Sequence, residues 1–461
     1  MASLVKYGCG QLALLAALGL FAGSPASAAD LGGDCCADLE ERIAELEATT
    51  VRKGNRKVKL EVSGQVNEAL LFWDDGFESN VGAYTNDNAR TRFRFKGEAR
   101  IDDGWKAGYL LEIGVRSSRS NRFTQEDDNG TDLGLDLRHS VWYVDSKKYG
   151  RLWVGLTGGA SEGITEVNLA ATKDVAKYSD QEDSGLGLGL RQTNGLFTNG
   201  TTSVGSSLSF GRLIRDNRDQ PGEGRRSNMI RLDSPTWEGF TLTANYGEDD
   251  TWEVGGRYAN EFGGFKVAAG IAYGENTDAN GGARGFECQA ENAAVGAPNA
   301  DETDASCNQI GGSISVMHVE SGLYANFAAG SLQDDLIDIP LPGADDVSEF
   351  FAFEVGIERK YIELGKTTFF GQYYVNNGGA NARRDFDGSG FATGGAGGSR
   401  DILGSNLESF GFGVIQEVSA ASMNLYLTYR HTEVDVRLSG AEAQPEFEDL
   451  DVVIGGAIMK F

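Results

Sequence analysis

Three histidines and seven prolines are all that 461 residues contain, and no apolar run anywhere is long enough to cross a bilayer as a helix. Each shortage excludes something. His139, His318 and His431 are too few and too scattered to suggest a metal site, and no cofactor motif accompanies them. His139 and Ser140 are adjacent, so on an alternating strand the first is expected to face outward and the second inward, the wrong geometry for a base and its nucleophile. Few prolines beside 64 glycines suit many long strands joined by tight bends, because a strand interior needs every backbone N–H for its ladder. Cations are short too: 41 Lys and Arg against 68 Asp and Glu leave a formal charge of -27, which excludes nucleic acid or anionic lipid as a partner of the whole chain.

The start of the chain reads as a secretory signal. Lys6 precedes the apolar run Leu12 to Phe21, and the small residues Ala26 and Ala28 follow, so residues 1–28 are expected to be removed. Loss of Lys6 takes the charge from -27 to -28. An exported chain meets an oxidising compartment, and Cys288 and Cys307 flank a polar stretch that a disulfide would staple. Cys35 and Cys36 are either exposed thiols or cross-links between subunits. Residues 29–56 are expected to form a periplasmic amphipathic helix, with Leu39, Ile43 and Leu46 on one face, followed by a basic linker from Arg52. The helix either packs on its own barrel or pairs with copies of itself.

From residue 57 to residue 461 the pattern changes to strand after strand. "RTRFRFKGEARI" sets Arg90, Arg92, Arg94, Lys96 and Arg100 on one parity and Phe93, Phe95, Ala99 and Ile101 on the other. Short connections near Asp102, Asp145, Ser234, Glu261, Glu320 and Ser419 alternate with long polar ones, the rhythm of a barrel with tight turns at one end and large loops at the other. Candidate strands number 18 if Leu186–Thr193 is one and 17 if it is not. The expected fold is therefore all-β, a transmembrane antiparallel barrel of 16 to 18 strands with 18 the best count. A barrel this wide encloses water, so the cations can face its lumen without buried partners while the apolar parity meets lipid. Phe461 ends the alternating segment "LDVVIGGAIMKF", and a terminal aromatic on such a strand is expected to serve as the signal read by the outer-membrane assembly machinery.

The stretches "NDNARTRFRFKGEARIDDGWKAGYLLEIGVRS" and "RHSVWYVDSKKYGRLWVGLTGGASEGITEVNLAATKDVAKYSDQEDSG" resemble the porins of alphaproteobacterial outer membranes. That resemblance implies homotrimers of barrels, contact with the lipid bilayer and lipopolysaccharide, passive diffusion of small hydrophilic solutes and ions, and a third long loop folded into each pore. Five strands precede residues 158–185, which makes that segment the third loop. It carries Glu162, Glu166, Asp174, Asp180, Glu182 and Asp183 against Lys173 and Lys177. Folded inward, it would face a basic wall of Arg90, Arg92, Arg94, Lys96 and Arg100, with Arg116 and Arg138. The alternative leaves the loop solvated and the cations paired locally with Glu98 and Glu112.

Other readings are weaker. "DFDGSG" from Asp385 imitates a calcium loop, but its twelfth position is Ala396 where a bidentate Glu is needed. "QEDDNGTD" from Gln125 could hold a divalent ion against lipopolysaccharide. A substrate-specific channel would need an aromatic track, for which Tyr324, Phe370, Tyr374 and Tyr426 share the inward parity. A barrel lipase and an exported soluble β-protein such as a lectin are the remaining rivals.

Overall fold

The computed structural model describes residues 58–461 apart from 128–133, 206, 215–219, 249, 277–306, 335–342, 379–401 and 440–443. The signal segment, the 29–56 helix with Cys35 and Cys36, Cys288, the calcium-like motif and most of the 125–132 motif lie outside the described residues, as does the side chain of Arg116.

Seventeen strands form one antiparallel sheet. They are β1 (Lys59–Asp74), β2 (Ser79–Thr85), β3 (Arg92–Arg100), β4 (Trp105–Arg116), β5 (Gly134–Ser146), β6 (Gly150–Gly158), β7 (Arg226–Asp233), β8 (Phe240–Gly247) and β9 (Thr251–Phe262). After them come β10 (Phe265–Asn276), β11 (Cys307–His318), β12 (Leu323–Asp334), β13 (Val347–Ile362), β14 (Gly365–Gly378), β15 (Ile402–Val418), β16 (Met423–Leu438) and β17 (Leu450–Lys460). β1 pairs with β17 along one edge, and on its other edge with β2 above, from Glu68 to Asp74, and β3 below, from Lys59 to Gln65. β2 and β3 therefore share one place in the ring, which closes with 16 positions.

Two expectations are corrected here. Arg90 lies outside the strand that carries the other cations, because a short 3-10 turn at Asp87–Ala89 interrupts the backbone between β2 and β3. Leu186–Thr193 is not a barrel strand: it belongs to the connection between β6 and β7, residues 159–225, and makes only single bridges, such as Gly189 with Ser209 and Gln192 with Phe447.

The turn rhythm holds. The short connections 101–104, 147–149, 234–239, 263–264, 319–322, 363–364 and 419–422 cluster at one end, while the strand ends that flank the long connections, Arg116 and Gly134, Gly158 and Arg226, Asn276 and Cys307, Asp334 and Val347, and Gly378 and Ile402, lie at the other. Alternation holds as well: in β1 Leu70 and Phe72 are exposed whereas Leu71 and Trp73 are buried, so the outer surface is apolar all round. That surface has no water-facing explanation, and it matches the lipid-facing band of a membrane barrel. No described helix is long and apolar enough to cross a membrane.

At the β1–β17 seam the Phe461 backbone exchanges hydrogen bonds with Gly64, 2.9 Å from Gly64 N to Phe461 O and 3.1 Å in return. Gly64 makes room for the ring, since a Cβ there would lie 2.6 Å from Phe461 Cζ. Cys307, fully buried at the head of β11, is disulfide-bonded.

Candidate functional site

The 159–225 connection is much longer than the 158–185 segment expected from the sequence, and it folds inside the ring. Ser313 and Ser315 of β11 accept hydrogen bonds from the Val167 and Leu169 N–H groups at 3.1 and 3.0 Å. Glu354 of β13, fully buried, accepts from Thr172 Oγ1 at 2.8 Å and from Asn326 Nδ2 at 2.8 Å. The 3-10 turn clasps the same segment from the opposite side: Asn86 Nδ2 donates to Val175 O at 2.9 Å, and Asn88 Oδ1 accepts from Lys177 N at 2.8 Å.

What these anchors hold in place is a hydrophobic core within the barrel. Val175, Tyr178, Leu186, Leu188, Leu190, Phe210 and Leu213 of the connection pack against Leu71, Phe350, Ile415, Val452 and Ile454 of the wall. The alternation of Leu186, Leu188 and Leu190 thus serves this packing and not a barrel ladder. Tyr324, Phe370, Tyr374 and Tyr426 face inward as expected, but all four are buried in this core and cannot line an open track. Over β12 to β17 and β1 this core fills most of the lumen, with a smaller cavity of about 270 Å³ left among Asp174, Glu358, Lys366 and Lys460, which corrects the expectation of a wholly wet interior.

Along β3 to β7 it is not filled. A cavity of about 1100 Å³ remains there, lined by Arg90, Arg92 and Arg138 on the wall and by Glu162, Glu166, Asp174, Asp180 and Asp183 on the connection. Of the expected basic wall, Arg94, Lys96 and Arg100 do not line it. Arg94 turns to Glu112, and Arg100 sits beside Asp103 at the turn end. Of the expected acids only Glu182 stays off the lining, buried behind it. The sequence reading missed Arg119, Arg122, Glu223, Arg225 and Arg226, which also line the cavity. The first two lie in the 117–133 connection, Glu223 and Arg225 at the far end of 159–225 and Arg226 at the start of β7, these three beyond the boundary drawn at residue 185.

Local pairing coexists with the inward fold. Glu112, with 1% of its side chain exposed, accepts from Arg94 Nε and Arg138 Nε at 2.7 Å each and lies 3.8 Å from Arg92 Nε. Arg90 donates to Asp136 at 2.7 Å. Arg138 reaches Glu112 because a β-bulge skips one residue of β5, so Glu112 is opposite His139 while Ile113 is opposite Leu137. The bulge also reverses the expectation for the neighbouring pair: His139 faces inward, 3.2 Å from Thr157 Oγ1, and Ser140 is exposed outside.

On the opposite bank Lys177 Nζ lies 2.6 Å from both Glu166 and Asp180. Burial opposes the Lys177 ammonium, but the two carboxylates outweigh it and hold its pKa well above the ordinary value. Burial and the Glu166 charge push Asp180 up to about 6; Glu166 itself is burdened by burial yet held below its usual value by Lys177. Burial likewise opposes Glu162, and Arg226 with its cationic neighbours more than compensates, lowering that pKa. Chemically, the cavity is a polar passage between fixed charges of opposite sign.

The family model for Gram-negative porins matches residues 13–444. Among solved structures, the anion-selective porin from Comamonas acidovorans aligns with 13% identity and TM-score 0.51, covering 88% of this chain and 100% of its own. OprB from Pseudomonas putida aligns with 11% identity and TM-score 0.50, covering 92% and 97%. At such identities these likenesses speak to the fold alone. No curated protein matches the sequence.

Proposed function

The chain belongs to the Gram-negative porin family and resides in the outer membrane, and from that premise we propose that it conducts small hydrophilic solutes and ions passively through the charged cavity between the inward connection and β3 to β7. The observation that carries this reading is the facing of Arg90, Arg92 and Arg138 by Glu166, Asp174 and Asp180 across one cavity. Such a field orients dipolar solutes and penalises apolar ones. Arg92 is the least committed wall cation, its one ion pair being the long 3.8 Å contact to Glu112.

A dedicated aromatic track finds no support, since the four inward aromatics are covered. The reading extends to kinship with alphaproteobacterial porins, to a homotrimer in contact with lipopolysaccharide, to a Cys288–Cys307 bridge, to removal of residues 1–28 and to capture of Phe461 by the barrel assembly machinery. It includes no catalytic step.

Planar-bilayer recordings test it. In a salt gradient, Arg92→Ala is expected to move the reversal potential toward cation preference and Asp174→Ala toward anion preference. Two unchanged potentials would mean that the cavity is not the conducting constriction.

A further inference from the structure

His431 lies on the outer face of β16, near the long-loop end, where outward residues change from Leu425, Leu427 and Tyr429 to Glu433. Asp451 stands opposite it on β17, and Asp74 stands opposite Asp451 on β1. This is the level at which the apolar band gives way to charge, within reach of water.

The two ring nitrogens have different surroundings. Nδ1 is 2.9 Å from Asp451 Oδ1, an ordinary hydrogen bond, and Tyr429 donates its hydroxyl to the same oxygen at 2.6 Å. Asp451 is thereby fixed, and it fixes the imidazole with its proton on Nδ1. The lone pair is left on Nε2, which looks toward Glu433 Oε1 at 3.3 Å and Asp449 Oδ2 at 3.7 Å. Those separations are long for charge-assisted hydrogen bonds, which run about 2.7–2.9 Å. They are close to the edge of a tetrahedron around zinc, about 3.4 Å for metal–ligand bonds of about 2.1 Å. The three ligand atoms all lie within 4.8 Å of one another, and Glu433 and Asp449 are exposed enough to swing the remaining distance.

Charge argues in the same direction. Among the described residues, Glu433, Asp449 and Asp451 have no Lys or Arg partner within 4.0 Å; their one ion-pair partner is this imidazole. A neutral ring leaves three carboxylates uncompensated.

We propose that His431, Glu433 and Asp449 hold a divalent transition-metal ion of the zinc class on the outer rim of the barrel, with Asp451 and Tyr429 orienting the imidazole behind it. A carboxylate on the distal ring nitrogen is how metal-bound histidines are commonly held, and it raises their basicity. Three protein ligands leave a coordination position open to water. The paucity of histidine in the sequence concealed this site, because one imidazole suffices when its own strand and the lead-in to the next supply the carboxylates.

The test uses the full chain in detergent, with its thiols alkylated so that cysteine cannot compete. Calorimetric titration with Zn²⁺ alone is expected to give one saturable site per chain. His431→Ala should abolish it, and Asp451→Asn should weaken it about 10-fold or more, as removal of an orienting partner does. Zinc absorption fine structure should show nitrogen and oxygen neighbours. The proposal is overturned if wild-type protein binds no zinc saturably, if His431→Ala and Asp449→Asn bind as wild type does, or if the neighbours are sulfur. Heat-modifiable gel mobility and bilayer conductance of each variant separate loss of the metal site from misfolding and from failure of the channel reading.

Discussion

The two halves of the lumen are built from one kind of strand and end up in opposite states. Along β12 to β17 and β1 the inward positions are largely apolar, such as Leu71, Phe350, Tyr374, Ile415 and Val452, with hydrogen-bonded polar groups such as Glu354 and Gln372 between them, and the 159–225 connection packs against them as a core. Along β3 to β7 the inward positions at the cavity carry charge, Arg92, Asp136, Arg138 and Arg226 among them, and the same connection leaves a gap. The barrel's width does not decide what is wet. Side chains on the inner face decide which part of the loop settles against them, since apolar surface is worth about 25 cal/mol per Å² when buried and a charge without a partner resists burial.

The largest way to break this division is to put charge on the filled side. Leu188→Asp sets a carboxylate at a fully buried position, so the connection should detach while the strand ladders persist. Bilayer conductance should rise several-fold and the loop should become cleavable by protease; unchanged conductance would mean that the apolar packing does not hold the loop in place.

Next comes the wet side's own neutralisation. Glu112→Gln leaves Arg92, Arg94 and Arg138 without their shared carboxylate. A reversal-potential shift toward anions, opposite in sign to that of Arg92→Ala, is expected.

A smaller effect comes from pH. Asp180 is raised to about 6, so it is ionised at pH 7.5 and protonated at pH 5. Protonation removes one negative charge from the acidic bank and leaves Lys177 paired with Glu166 alone, which lowers cation preference as pH falls through about 6. Asp180→Asn should flatten that step in selectivity recorded between pH 7.5 and 5. The smallest effect sharpens the border: Arg100→Ala should leave selectivity as it was, because Arg100 is paired with Asp103 at the turn end, away from the cavity.

Much of this division was legible in the sequence, and the illegible part has identifiable causes. Alternation gave the face of Arg92 and of Tyr374 correctly, because side-chain direction in a strand is local. It could not tell that Tyr374 would be covered, since cover comes from a segment two hundred positions earlier in the chain. The same alternation misled at Leu186 to Leu190, where two unlike faces exist without a sheet. The bulge in β5 was invisible for a related reason: a single skipped residue reverses the direction of His139 and Ser140 while leaving composition untouched. Asn86 and Asn88 did leave a trace, a polar cluster breaking an otherwise regular ladder, the kind of punctuation that marks a turn.

The seam at which Gln65 meets Lys460 has a consequence for biogenesis. Every other neighbouring pair in the ring is closer in the chain and can form earlier, but this one waits for nearly the whole polypeptide, and slow, long-range closure of that sort dominates folding time. Until then β1 and β17 are sticky, unpaired margins. Keeping both margins covered until they meet is the problem that such a topology sets.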